Sequence, residues 1–128
     1  MTKQDDRYRA ELLETWENTY KKGQLTFWLL LALRDESRYV TDIRDFIVSH
    51  TAGTLSCEDQ SVYRALRKFY DLEIVDYELR PGNKGPDRKY YRLTPIGHDL
   101  LREFIQRNLK ILYNQSLVDI LFKERSVT

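Results

Sequence analysis

The chain has 128 residues, of which 41% are hydrophobic and 32% charged, with a net charge of +1. This length fits one domain with one core, the balance carries no signature of disorder, and near-neutrality means that any field for nucleic acid must come from local clustering. The single Cys57 excludes an internal disulfide and suits a reducing cytoplasm; residues 1–9 lack the pattern of a signal peptide, and the longest apolar run, residues 25–33, is about half of what a membrane span needs.

Residues 5–20 are predicted as an amphipathic helix, with Tyr8, Leu12, Trp16 and Tyr20 spaced four apart and Leu13 widening the stripe. Asp5 and Asp6 suit its start, and Lys21, Lys22 and Gly23 its end. Residues 24–34 form a short helix apolar nearly all round, which belongs at the centre of a small domain. A third helix is expected over 41–49, capped by Thr41, with Ile43, Phe46 and Ile47 on one face. A fourth runs to about Tyr70 from an N-cap at Ser56, reinforced by Asp59. Residues 74–79 alternate as a half-buried strand, 81–86 are dense in turn residues, and 89–93 form the return strand. Thr94-Pro95 is a strong helix start. The helix that follows carries Leu100, Leu101, Phe104, Ile105, Leu109, Ile111 and Leu112, with Leu117, Val118 and Leu121 on its expected continuation.

Helix, strand, cationic turn and strand, in that order, match a winged helix-turn-helix. In that fold one helix enters the DNA major groove and the hairpin wing touches the flanking backbone. In the fourth helix, Val62, Ala65, Leu66 and Phe69 share the core face. Gln60, Ser61 and Arg64 are left outside as base-reading residue types, and Arg67 and Lys68 as phosphate-gripping ones. The wing adds Arg80, Lys84, Arg88, Lys89 and Arg92 against Asp87, a local positive surface whose binding would weaken steeply with salt. The plainer alternatives are a solvated helix face and an edge strand protected by its cations.

Three segments carry a family resemblance: Ser61-Val62-Tyr63-Arg64-Ala65-Leu66 in the fourth helix, Leu72-Glu73-Ile74-Val75 at the strand start, and Gly85-Pro86-Asp87-Arg88-Lys89-Tyr90-Tyr91-Arg92-Leu93-Thr94-Pro95-Ile96-Gly97 over the wing and helix start. Across residues 23–101 the chain resembles the PadR family of bacterial and archaeal transcription regulators. It departs in having Arg64 where the family has Pro, no Gly in Tyr39-Val40-Thr41-Asp42-Ile43, and Glu73 where a Gly usually precedes the strand. The resemblance implies a homodimeric regulator, most often a repressor, that releases DNA on a small-molecule signal. It also implies a dimer built from the terminal helices, and Tyr63 near a phosphate; packing at the domain edge would equally suit an amphipathic Tyr.

The last helix has an apolar stripe wider than a small wing domain covers. Leu12 and Trp16 of the first helix, and Phe104, Ile105, Leu109 and Leu112 of the last, are therefore expected at a dimer interface that sets two recognition helices about one DNA turn apart. A monomer with a helical hairpin at its back is the alternative. The resemblance further implies that a flat aromatic effector could stack on Trp16, although packing is the simpler role; Trp28 belongs to the core.

An enzyme is not expected. His50 and His98 lack nucleophile or metal-ligand spacing, no phosphate-cradling glycine loop is present, and no cofactor or metal is foreseen. Cys57 at a helix start could have a lowered pKa. The expected architecture is thus mainly α with a small two-stranded β wing. Residues 1–22 form an N-terminal dimerisation helix, 23–94 a winged helix-turn-helix, and 95–128 a C-terminal dimerisation helix. The expected function is sequence-specific binding of an inverted-repeat operator in double-stranded DNA. The rival is a winged-helix protein–protein module that has lost DNA binding, a reading kept open by the modest net charge and by Glu58 and Asp59 at the head of the fourth helix.

Overall fold

The structure, a computed structural model, describes residues 2–123. Helix α1 spans Lys3–Lys21 and starts in a capping box, Thr2 accepting from the Asp5 amide and Asp5 from the Thr2 amide. Helix α2 (Gln24–Ala32) follows through Gly23, whose φ of 82° makes the corner. Helices α3 (Val40–His50) and α4 (Asp59–Asp71) lead into strands β1 (Val75–Arg80) and β2 (Arg88–Leu93), which pair antiparallel from Val75–Leu93 to Arg80–Arg88. The fold is mainly helical with a two-stranded wing.

The core lies between α2, α3, α4 and the base of the wing. Leu29, Ile43, Ile47, Val62 and Leu66 are fully enclosed, with Leu33 and Val75 nearly so. Trp28 is half-buried against this cluster. Arg38 ties the parts together: its amide and carbonyl both bond to Tyr91 at 2.9 Å, its Nε donates to the Ala32 carbonyl at 2.6 Å, and its guanidinium lies 4.9 Å over the Phe46 ring. A short third strand contact therefore flanks β2, a pairing distant in sequence that local periodicity does not announce.

Two expected caps are not used. Helix α3 begins at Val40 rather than Thr41, because the Arg38–Tyr91 pairing holds Tyr39 extended as its N-cap. Helix α4 begins at Asp59 rather than after Ser56, and its N-cap Glu58 makes no side-chain bond. The Thr51 hydroxyl instead organises the preceding turn, donating to the Ile47 carbonyl at 2.8 Å and accepting from the Leu55 amide at 3.3 Å. At the other end α4 closes in a Schellman motif: Ile74 N–H donates to Phe69, Glu73 N–H to Tyr70, and Glu73 takes a φ of 61°.

Thr94 caps α5 (Pro95–Phe104), accepting from the Gly97 amide at 3.1 Å. The expected uninterrupted last helix is broken. A wide π-type turn occupies Ile105–Leu109, where Asn108 donates its side chain to the Phe104 carbonyl, and a 3₁₀ turn follows at Lys110–Tyr113. Asn114 is extended, and its side chain accepts from the Ser116 amide to start α6 (Gln115–Leu121). Met1 and residues 124–128, the outermost parts of the two expected dimerisation segments, lie outside the described residues. Among the described residues no helix is long and apolar enough to cross a membrane.

Candidate nucleic-acid interface

Helix α4 turns Val62, Leu66 and Phe69 inward. At 3.6 residues per turn, Gln60, Arg64, Arg67 and Asp71 then follow one another along its outer ridge. Arg44 of α3 bonds to Asp59 in the first turn of α4 at 2.6 Å, which fixes the two helices of the motif and occupies that carboxylate.

The wing lies beside this ridge. Gly82 comes so close to the Pro86 carbonyl that a β-carbon would not fit, so the tip is compact. Between α4 and the wing runs a cleft of about 960 Å³ that brings together Gln60, Tyr63 and Arg67 from the helix with Lys84, Arg88 and Lys89 from the wing. These are six of the residues picked out from the sequence. Arg64 stands exposed on the ridge and Lys68 exposed beside it. Ser61 is half-buried on the opposite flank, beside Leu25, Leu55 and Cys57.

The cations divide into two groups. Arg80 bonds to Glu78 and lies 4.3 Å over the Tyr90 ring, while Arg92 bonds to Asp76 at 2.7 Å and approaches Glu78 at 3.6 Å. Both are met by acids of β1, Arg80 by Glu78 two residues before it on the same strand and Arg92 by Asp76 opposite it in the register, so Asp87 is not their only counterweight; the hydrogen bond from Arg80 holds the Glu78 carboxyl below its usual range. Arg64, Arg67, Lys68, Lys84, Arg88 and Lys89 make no ion pair among the described residues. Arg88 and Lys89 rest instead on tyrosines, 4.7 Å over the Tyr39 ring and 4.7 Å over the Tyr77 ring, where the aromatic quadrupole holds a cation without cancelling its charge.

Sequence reasoning missed the tyrosines. Tyr39, Tyr70, Tyr77 and Tyr91 line the same cleft as Tyr63, and Tyr77 links Tyr70 at 5.3 Å to Tyr91 at 5.5 Å. The signal was present as an excess of Tyr, nine in the chain, yet the five that line the cleft come from four separate segments, the start of α3, α4, β1 and β2. Burial pushes the Tyr63 phenol up, helped by Tyr39 and Asp59, and burial does the same for Tyr91. Both stay neutral donors at physiological pH.

Elsewhere, burial raises the Cys57 thiol against the opposing pull of Arg44, so the expected lowering does not occur. His50 stacks on Phe46 at 4.0 Å with Nδ1 2.9 Å from the Phe46 carbonyl oxygen. Among the described residues no group of three His, Cys, Asp or Glu could hold a metal. Of the residues expected at a dimer interface, Leu12, Trp16, Phe104 and Leu112 are exposed. Phe104 also stacks on Phe27 at 5.9 Å, Leu109 is half-buried, and Ile105 packs against this chain's own core.

Comparison with known proteins agrees with this geometry. The family model of the transcriptional regulator PadR-like family matches residues 29–103. A PadR-like transcription factor from Bacteroides fragilis has 26% identity and a TM-score of 0.62, over 83% of this chain and 98% of its own. A PadR-like regulator from Bacillus cereus has 23% identity and a TM-score of 0.65, over 84% of this chain and 99% of its own. Bacillus subtilis PadR, solved in complex with operator DNA, shares the fold at 19% identity and a TM-score of 0.53; the match covers 81% of this chain and 50% of that protein. An uncharacterised protein of Lysinibacillus sphaericus is 24% identical over 85 residues, which is 66% of this chain and 78% of its own. From its wing motif, its helix order and a family match that spans more than half its length, the chain belongs to the PadR-like family of transcriptional regulators.

Proposed function

We propose that this protein is a sequence-specific DNA-binding regulator, acting as a homodimeric repressor on an inverted repeat. The observation that carries the reading is the set of cations on α4 and the wing that no carboxylate among the described residues engages, gathered on one face of a nearly neutral chain. A surface held this way is available to phosphates. In the proposal Gln60 and Arg64 on the ridge, with Ser61 on its flank, read base edges. Arg67, Lys68, Lys84, Arg88 and Lys89 grip phosphates, and the Tyr63 hydroxyl donates to one. The operator complex of Bacillus subtilis PadR supports the same use of the fold. The competing protein-module reading rests on the modest net charge and on two acids at the head of α4, of which Arg44 occupies Asp59.

The dimer uses residues 1–22 and 95–128, leaving 23–94 as the DNA-binding unit. Its support is the apolar surface left open on both terminal segments. We assign Trp16 first to this packing; a flat aromatic effector entering between subunits would stack on the same ring.

Selection of bound duplexes from a random DNA pool tests the function. Enrichment of an inverted repeat with half-sites about ten base pairs apart is the expected result. No enrichment by folded protein at low salt would remove the DNA reading.

A further inference from the structure

The cleft between α4 and the wing has a chemistry that a phosphate backbone alone does not use. Tyrosine rings form its walls, and Tyr63 and Tyr70 remain 43% and 47% exposed, so aromatic surface is open to a visitor. Gln60 adds an amide that can both donate and accept. Arg67, Lys84, Arg88 and Lys89 set four cations around the same space, against Asp87 as the one acid among the described residues that line it. Two of them are already fixed, Arg88 over Tyr39 and Lys89 over Tyr77, so little side-chain freedom is lost when an anion arrives. Its volume of about 960 Å³ lies within the range of small-molecule sites.

We propose that this cleft binds a small phosphorylated compound carrying a flat ring, of the mononucleotide or aryl phosphate class, through tyrosine stacking on the ring and the Arg67, Arg88 and Lys89 cations on the phosphate. The ring separates this class from inorganic phosphate: a planar group covers the exposed tyrosine faces and brings edge atoms to Gln60, and stacking on such a face adds to the charge contacts. Because the same residues hold DNA in the proposed function, an occupied cleft excludes the duplex. That consequence rests on the DNA reading, whereas the site itself does not.

The test titrates adenosine 5′-monophosphate, 4-nitrophenyl phosphate and inorganic phosphate into the full chain by calorimetry, with the tyrosine ring resonances followed by NMR. Saturable binding of the two ring-bearing compounds is expected, with inorganic phosphate weaker by about tenfold or more and shifts centred on Tyr63, Tyr70 and Tyr77. Arg67→Ala, on an exposed helix position, should weaken the ring-bearing compounds about tenfold, while Arg80→Ala, whose side chain is already bonded to Glu78, should not. Equal affinity for all three compounds, no saturation, or shifts confined to the terminal helices would each overturn the proposal. A separate competition against the selected duplex distinguishes the two readings. Compound binding without any duplex binding leaves the site standing and removes the proposed function; duplex binding without compound binding does the reverse.

Discussion

Gly97 and Ile74 meet backbone to backbone: a β-carbon on Gly97 would penetrate the Ile74 carbonyl oxygen and lie 3.3 Å from Leu93 Cβ. The same Ile74 carbonyl accepts from the Thr94 amide at 3.1 Å and from the Thr94 hydroxyl at 3.0 Å. The first turn of α5 is thus pressed onto the junction between α4 and β1. Gly97→Ala has no flexible neighbour to displace and must shift backbone, an overpacking cost of about 1–3 kcal/mol. Thermal unfolding should show a Tm lower by several degrees; an unchanged Tm would mean the junction yields without cost.

Glu73 presents the opposite case. It sits at the left-handed position of the Schellman motif closing α4, with φ of 61°, where glycine is the ordinary occupant. A β-carbon there costs about 1–2 kcal/mol, partly offset because glycine gains more freedom in the unfolded chain. Glu73→Gly should therefore stabilise the protein by about 0.5–1 kcal/mol, read as a higher denaturant midpoint at unchanged slope.

These two positions show what local sequence conveys. The Thr94-Pro95 start was legible because its cap and its proline act within one turn. The starts of α3 and α4 were not, because Arg38 and Thr51 decide them through partners on β2 and across the α3–α4 turn. The break after Phe104 was masked by a continuous apolar stripe, although Asn114 two residues before Ser116 is a recognisable capping signal. On the site, the cationic helix and wing were visible as residue types, but counting charges could not separate Arg80 and Arg92, tied to acids of β1, from Arg88 and Lys89, which rest on tyrosines.

The division of cations makes a quantitative contrast. Arg67 has no carboxylate partner among the described residues, so Arg67→Ala should reduce the slope of log affinity against log salt by about one and weaken binding to all duplexes alike. Arg80→Ala should leave the slope nearly unchanged, since its charge is already met by Glu78. Fluorescence anisotropy across a salt series distinguishes the two; equal slopes for both variants would erase the distinction drawn from the ion pairs.

Cys57 offers a pH readout. Burial raises its thiol pKa, and the thiolate is the reacting species. Its modification by an aromatic disulfide reagent should be slower in the folded protein than in urea at the same pH. The sign for stability follows: folding protects the protonated form, so stability is unaffected below the unfolded thiol pKa and falls as pH rises from there toward the folded value. Reaction as fast as in urea would show the thiol to be accessible and unshifted.

Helix α1 makes the strongest demand for a partner. It runs for 19 residues without one buried side chain, and Trp16 is 72% exposed on its apolar stripe. In proteins most helical stability comes from packing of an amphipathic face rather than from propensity, so packing against a second copy would supply the burial that the described residues of its own chain do not. Trp16→Glu places a charge in that stripe without touching the core or α4. The expected outcome is a halved mass by light scattering together with a loss of helical signal in far-ultraviolet circular dichroism, as α1 frays. Phe104→Glu should give the same mass, but with a lower Tm as well, because it also breaks the stacking on Phe27. A Trp16→Glu protein of unchanged mass would overturn the assignment of α1 to the proposed dimer, leaving the segment after Phe104, where Ile111, Leu112, Tyr113 and Phe122 are also exposed, as the remaining apolar surface to test.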